Sequence, residues 1–417
     1  MAIAALIAAY QEAEGTESGL RALLPMAGRT LLEYQVRRAI GAGARHAVIL
    51  VERVPAALNE ALDRLRRDGI AVEIARTPAD AADRFHPEEA IILVADGLIA
   101  APPCFEALAA QRPPAVLVVP DIPENAGFER VDSQWRWAGL ALTDANMLSE
   151  TAAMLGDWDL QSTLMRRIVQ SGPRFVSSNN DADAKEGRAS IVIADDEAAS
   201  RRAGRADMLP ARTDDASWIE RFVLAPAAGI IAPLLIDRPI EPNWLRLAAV
   251  ALAIGGAVAF YFNWLWTGAI LLLLPGLLAA IATRIDVARL CDPHNNWRTR
   301  LALPAVYGAA IAVFGRPVVE MAGNPLYWAF VGAAMLLLLL VERTMRKLAK
   351  LGGPAVPYAA ARATATGIFW LLPLFGAFGW WIWWPAFAAA YGLLSAFLLI
   401  EFAAPVPKTA ETGHCED

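Results

Sequence analysis

Leu245-Arg246-Leu247-Ala248-Ala249-Val250-Ala251-Leu252-Ala253-Ile254-Gly255-Gly256-Ala257-Val258-Ala259-Phe260-Tyr261 carries one charged side chain, Arg246. A helix needs about 20 such residues to cross ~30 Å of hydrocarbon. Five more apolar stretches follow, at Trp264–Thr283, Leu301–Val319, Leu326–Val341, Ala363–Trp381 and Pro385–Phe402. The expectation is an all-α polytopic membrane domain of about six helices. Arg316, Pro317, Glu320 and Gly323 crowd the junction of the third and fourth stretches, so a re-entrant or tilted pair fits the same text.

Positive charge orients the spans, because Lys and Arg are retained on the cytoplasmic side. The connection after the second stretch carries Arg284, Arg289, Arg298 and Arg300, and that after the fourth carries Arg343, Arg346, Lys347, Lys350 and Arg362. The turns around Asn263 and Trp381–Trp384 hold neither Lys nor Arg. Both basic loops and both termini are therefore expected in the cytoplasm, in a multi-pass protein of the bacterial inner membrane. Tyr261, Phe262, Trp264 and Trp266, with Trp380, Trp381, Trp383 and Trp384, form an aromatic belt at the outer interface.

Residues before Leu245 have a different texture, so the 56% apolar content and net charge of −6 average two unlike halves. Short apolar runs (Ala2–Ala9, Ala47–Val51, Ile70–Ala75, Ala90–Ala95, Ala115–Val119, Ala189–Ala194) alternate with helical patterns (Leu31–Gly41, Ala56–Asp68, Ala101–Gln111, Asp144–Leu155, Leu160–Gln170). The expected fold is α/β and Rossmann-like, with a mostly parallel sheet covered on both faces and ligands beyond the carboxyl ends of its strands. That directs attention to the loop Gln11–Leu20 and to Asp96-Gly97. Met1–Tyr10 lacks the length and basic flank of a secretory signal. Cys104, Cys291 and Cys415 have no metal-type spacing, so reduced thiols are expected. No nucleic-acid partner is expected.

Leu23-Leu24-Pro25-Met26-Ala27-Gly28-Arg29-Thr30-Leu31-Leu32-Glu33-Tyr34, followed by Gln35–Val51, resembles the opening of MobA-like and sugar-phosphate nucleotidyltransferases. The resemblance spans residues 1–212. It implies a loop around Gly15 and Thr16 that cradles a triphosphate, with Arg21 near the family's Lys and Asp96 at its metal-binding Asp, and hence Mg2+. Trp137-Ala138-Gly139-Leu140 looks like the family's later substrate-side strand. The loop itself places Glu12, Glu14 and Glu17 where phosphates would lie; like charges ~4 Å apart cost about 4 kcal/mol at an effective dielectric of ~20. Two readings stay open: a loop that kept its shape and lost its ligand, and a working nucleotide site. Asp-Gly after a strand is also an ordinary turn.

Residues 213–240 read as a juxtamembrane amphipathic helix, because Trp218, Ile219, Phe222 and Val223 share a face; a plain linker helix is the other reading. The order of parts, with Pro242-Asn243 opening residues 241–404 and an acidic tail at 405–417, resembles bifunctional enzymes that join an inositol-phosphate cytidylyltransferase to a CDP-alcohol phosphotransferase, and so implies CTP and a polyol phosphate. That family uses D-x2-D-G-x2-A-R-x8-G-x3-D-x3-D to hold two metals. Aligned on Ala288-Arg289, the other positions read Ile281, Arg284, Ile285, Arg298, Ala302 and Val306. Asp286 and Asp292, near His294, do not restore the spacing; pairing with arginines and a rebuilt metal cluster are the two readings. Arg284, Arg289, Arg298 and Arg300 could meet lipid phosphates, or serve topology alone.

The resemblance thus implies a transferase of phospholipid or glycolipid headgroup synthesis whose membrane motif is altered. The alternative is a catalytically inactive descendant that binds lipid, nucleotide or protein as a membrane scaffold. Membrane lipids are the expected partners, with a homodimer through the membrane domain left open. A transporter fits less well, for want of paired interrupted spans.

Overall fold

The computed structural model describes residues 2–14, 19–155, 158–177, 191–206, 217–236, 240–290, 297–350 and 362–401. The chain divides into two compact units, Met1–Leu209 with Val287–Cys291, and Pro210–Asp286 with Asp292–Asp417.

The first unit is built on a seven-stranded mixed sheet. Its strands are β1 (Ile3–Ala8), β2 (Ala44–Leu50), β3 (Val72–Ala75), β4 (Ala90–Val94), β5 (Ala115–Pro120), β6 (Trp135–Asp144) and β7 (Arg174–Ser177), in the order β7-β5-β6-β4-β1-β2-β3. All neighbours run parallel except β6, which is antiparallel to both β4 and β5. β1 and β4 are buried almost throughout, as the unbroken apolar runs require of central strands. Helices α1 (Leu31–Gly41), α2 (Ala56–Arg67), α3 (Pro78–Ala82), α4 (Pro102–Ala109), α5 (Ala145–Met154) and α6 (Leu160–Gln170) connect them.

The stretch before α1 folds as a hairpin, Pro25–Met26 against Arg29–Thr30, with Ala27 and Gly28 both at positive φ, the backbone a two-residue turn of this hand demands. Thr30 then caps α1. Its Oγ1 accepts from Glu33 N at 3.3 Å while Glu33 Oε2 accepts from Thr30 N at 3.1 Å, a capping box worth about 0.5–2 kcal/mol. Burial opposes the charge on Glu33, but hydrogen bonds from Arg64, Thr30 and Arg29 hold its carboxyl below the usual carboxylate range.

β6 contains the expected strand Trp137–Leu140 and runs on through Gly139 at φ +85°, where a Cβ would stand 2.8 Å from Leu98 Cδ1. One strand lies outside the expected set: β7 is short and mostly exposed at the sheet edge. The expected strand Ala189–Ala194 is described only as Val192–Ile193, antiparallel to Leu98–Ile99. The acidic stretch from Asp195 starts α7 (Glu197–Ala206), with Asp196 Oδ1 accepting from Ala199 N at 2.6 Å. This helix packs on the hairpin: Ser200 Oγ donates to Pro25 O at 2.8 Å, and a Cβ on Gly204 would lie 3.1 Å from Ala27 N.

The second unit is helical. A π-turn at Glu220–Leu224 leads into α8 (Ala225–Ile236), then α9 (Pro242–Tyr261), α10 (Leu265–Leu271), α11 (Leu274–Ala288), α12 (Trp297–Ala322), α13 (Tyr327–Lys350), α14 (Ala365–Ala377) and α15 (Trp384–Glu401). Among the described residues, five helices are long and apolar enough to cross a membrane: Pro242–Tyr261, Leu265–Ala288, Ala302–Ala322, Tyr327–Met345 and Trp381–Leu399. The expectation of about six is corrected to that extent. Ala363–Trp381 gives the 13-residue helix α14, followed by a turn at Trp380, which is short of the length a span needs.

α12 is continuous although it holds Pro304 and Pro317, and Arg316 pairs with Glu320 at 2.9 Å one turn on. Small residues let helices approach closely: a Cβ on Gly268 would stand 2.4 Å from Phe260, and one on Gly315 2.6 Å from Trp328. α8 buries Ala228, Ala232 and Ile236 while Ile230 and Leu234 stay exposed, so its covered and uncovered sides are both apolar. Ile219 is buried and Phe222 exposed.

Candidate functional site

In the first unit, β1 and β4 end side by side, which brings residues 10–12 against residues 95–97. Asp96 is 2% exposed. Its Oδ2 accepts from Tyr10 N at 2.9 Å and Gln11 N at 2.8 Å, and its own N–H donates to Gln161 Oε1 at 3.3 Å. Beneath it, Gln35 Nε2 donates to the carbonyls of Ala95 and Leu98, both at 3.0 Å, fixing the turn in which Gly97 takes φ +77°. A side chain at Gly97 would meet Ala194 O at 2.9 Å. The second carboxylate oxygen, Oδ1, is buried without a hydrogen-bond partner among the described residues. Burial drives the Asp96 carboxyl up to about 6, against the pull of the Gln11 and Tyr10 N–H groups and of Arg21.

Arg21 is fixed from three sides. Its Nη1 donates to Gln11 Oε1 at 2.7 Å, its Nε to Glu12 O at 3.2 Å, and its Nη2 pairs with Asp195 Oδ1 at 3.0 Å. Glu12 turns outward to Arg53, 2.6 Å away, with both side chains largely exposed. Glu14 is exposed as well, while Gly15, Thr16 and Glu17 lie outside the described residues. The hydroxyl of Tyr10 donates to Asp159 Oδ1, and burial pushes that phenol well above its usual range.

Asp195, Gln35 and Gln161 belong to this cluster although nothing in the sequence reading singled them out. Asp195 follows an apolar run just as Asp96 does, and its place among acidic neighbours disguised it as hinge. Mg2+ requires about six oxygens in near-octahedral array. The arrangement does not fit it: Asp96 has one oxygen committed to two N–H groups, Arg21 supplies the neighbouring cation, and the described residues hold no group of three or more His, Cys, Asp or Glu that could bind a metal.

In the second unit, Asp286 of α11 is 4% exposed and forms a buried ion pair with Arg246 Nη2 of α9, which is equally buried. Arg246 Nη1 reaches Asn243 Oδ1 at 3.3 Å. Asp286 is therefore paired with an arginine, but with one from the neighbouring span and not from its own loop. Arg284, one turn before the end of α11, is half-buried. Its Nη1 lies 3.0 Å from where a Cβ on Gly229 of α8 would stand. Arg289 falls in the first unit, buried, with Nε donating to Ala27 O at 3.1 Å. Arg298 and Arg300 occupy the first turn of α12, and Asp292 and His294 lie outside the described residues. At the same end of the bundle Glu220 pairs with Arg362 at 3.5 Å. At the other end Asn263 and Tyr261 meet Glu320 and Arg316.

No protein-family model and no curated protein matches this chain. Among solved structures, a nucleotidyl transferase from Methanothermobacter thermautotroptrophicus is similar over 43% of this chain and 88% of its own, with 17% identity and a TM-score of 0.32.

Proposed function

We propose that this chain is a membrane-anchored protein that binds phosphate-bearing ligands at the cytoplasmic membrane surface and does not carry out metal-dependent phosphotransfer in its membrane half. The observation that carries this is the buried Arg246–Asp286 pair. Two metals gripping a diphosphate need several ionised carboxylates open to the ligand. Asp286 instead neutralises a guanidinium brought by another helix, a structural use that accounts for its burial. Arg284 stands where a metal-binding Asp would be expected by resemblance. A lineage shared with nucleotidyltransferase–CDP-alcohol phosphotransferase fusions accounts for the order of the two units, and α14 then completes a six-helix bundle as a short sixth element. Purified full-length protein, given Mg2+ or Mn2+ and a radiolabelled CDP-alcohol with phosphatidate or diglyceride acceptors, should return background only. Turnover that disappears in Asp286→Asn would overturn the reading.

A second reading, headgroup synthesis begun by nucleotidyl transfer in the first unit, draws on the free Oδ1 of Asp96 and the strand-end position of Arg21 and Asp195. It requires the Arg21–Asp195 pair to open so that the two carboxylates can share a cation. CTP binding that strengthens with Mg2+ and is lost in Asp96→Ala would favour it.

A further inference from the structure

We infer that Arg284 is the anchor of a binding site for the phosphate of an anionic phospholipid, formed between α8 and α11 and closed at its back by Gly229. The inference goes beyond the function proposed above, and holds whether or not either unit is catalytic.

Three observations converge on it. First, Arg284 stands inside α11 and not in the loop after it, four residues before the helix end, which holds its guanidinium at the border of an apolar run where headgroup phosphates are in reach. Second, it is half-buried and has no hydrogen bond or ion pair among the described residues, whereas the neighbouring cations are matched: Arg246 by Asp286 and Arg362 by Glu220. A guanidinium held at the edge of hydrocarbon without a counter-charge is costly and takes its partner from lipid or water. Third, the guanidinium lies directly against α8 at Gly229, where an added methyl group would stand 3.0 Å from Nη1 and 3.7 Å from Cζ, so a bulky side chain there would displace it.

The surroundings select a lipid over a soluble phosphate. Next to Gly229, Ile230 and, one turn on, Leu234 are exposed apolar side chains on α8, and Thr283 beside Arg284 is exposed on α11. The site therefore opens on a surface that contacts acyl chains in a bilayer. Five N–H donors in a planar fork match a phosphodiester's two free oxygens. Among the described residues this guanidinium has no counter-charge, which favours a lipid with net negative charge over a zwitterionic one.

The test is native mass spectrometry of the full chain in detergent, titrated with dioleoyl phosphatidylglycerol and, separately, with sn-glycerol 3-phosphate as the chainless form of the same phosphate chemistry. Arg284→Gln should weaken phosphatidylglycerol binding about fivefold, the equivalent of ~1 kcal/mol for one basic group at the headgroup level. Arg284→Lys should keep most of it, and Gly229→Leu should weaken it by filling the space the guanidinium occupies. Arg316→Gln, at the opposite end of the bundle, should bind as the unaltered chain does. Equal affinity in Arg284→Gln and the unaltered chain would overturn the inference, as would an equal loss in Arg316→Gln. Arg284-dependent binding of glycerol phosphate as tight as that of the lipid would overturn the lipid assignment. Should Arg284→Gln fail to fold, Gly229→Leu decides, and unchanged lipid affinity in that variant refutes the site.

Discussion

Replacing Asp96 by Asn should remove one titrating component from the stability of the first unit. The native carboxyl sits at about 6 because it is buried with one oxygen unpartnered, and the unfolded chain returns it to its ordinary 3.8. Between those values the folded state holds the extra proton, so the contribution of Asp96 improves as pH falls through 6 and worsens as it rises. About two pKa units correspond to ~3 kcal/mol of destabilisation at neutral pH, of which about 1.4 kcal/mol is relieved between roughly pH 7.5 and pH 5. For a unit of this size that is roughly 3–5 °C in melting temperature. The Asn side chain still accepts from Tyr10 N and Gln11 N and carries no charge to desolvate. Melting of the full chain, followed at both pH values for the unaltered protein and Asp96→Asn, isolates the term, since every other titrating group is common to the two. The unaltered protein should gain those degrees relative to the variant on acidification. No change in the difference between them, or a change of opposite sign, would refute the account of this carboxyl.

The Arg246–Asp286 pair makes a second prediction. Asp286→Ala leaves a buried guanidinium without its counter-charge and should cost about 3–5 kcal/mol, read as a lowered melting temperature in detergent, while the double variant Arg246→Leu with Asp286→Leu should recover most of it. Topology makes a third. A cysteine at position 263 should react with a membrane-impermeant maleimide added to intact cells and one at position 347 should not; the reverse labelling would invert the proposed orientation.

Much of the first unit was legible because its elements obey a single period. The runs at Ile3–Ala8 and Ala90–Val94 are apolar on both faces, and α1 and α6 begin and end where the 3.6-residue pattern does. The parts that escaped are those whose pattern is broken for a structural reason. β7 is a short, mostly exposed edge strand, and α7 begins in an acidic run that looks like a linker until Asp196 is seen capping it. In the second unit the apolar runs marked the helices but not their lengths, since the Thr364 cap and Gly379 at φ +70° bound α14 within a stretch of uniform hydropathy. The candidate sites were legible by position and not by partner. Asp96 stood out as a strand-end acid, yet its tie to Gln161 crosses 65 residues of sequence, and Gln35, which holds the turn around it, bonds to Ala95 O from 60 residues away. Likewise no spacing rule links Arg246 to Asp286, which meet only because α9 and α11 pack together.

The claim that the membrane half recognises phosphate without metals is tested most directly by counting bound Mn2+. Electron paramagnetic resonance of the full chain in nanodiscs, titrated with Mn2+ in the presence of a CDP-alcohol, reports free ion by its six-line signal. The account predicts that the signal rises with added Mn2+ as it does for nanodiscs without protein, and that Asp286→Asn leaves it unchanged. Two tightly held Mn2+ per chain, released in Asp286→Asn, would contradict it.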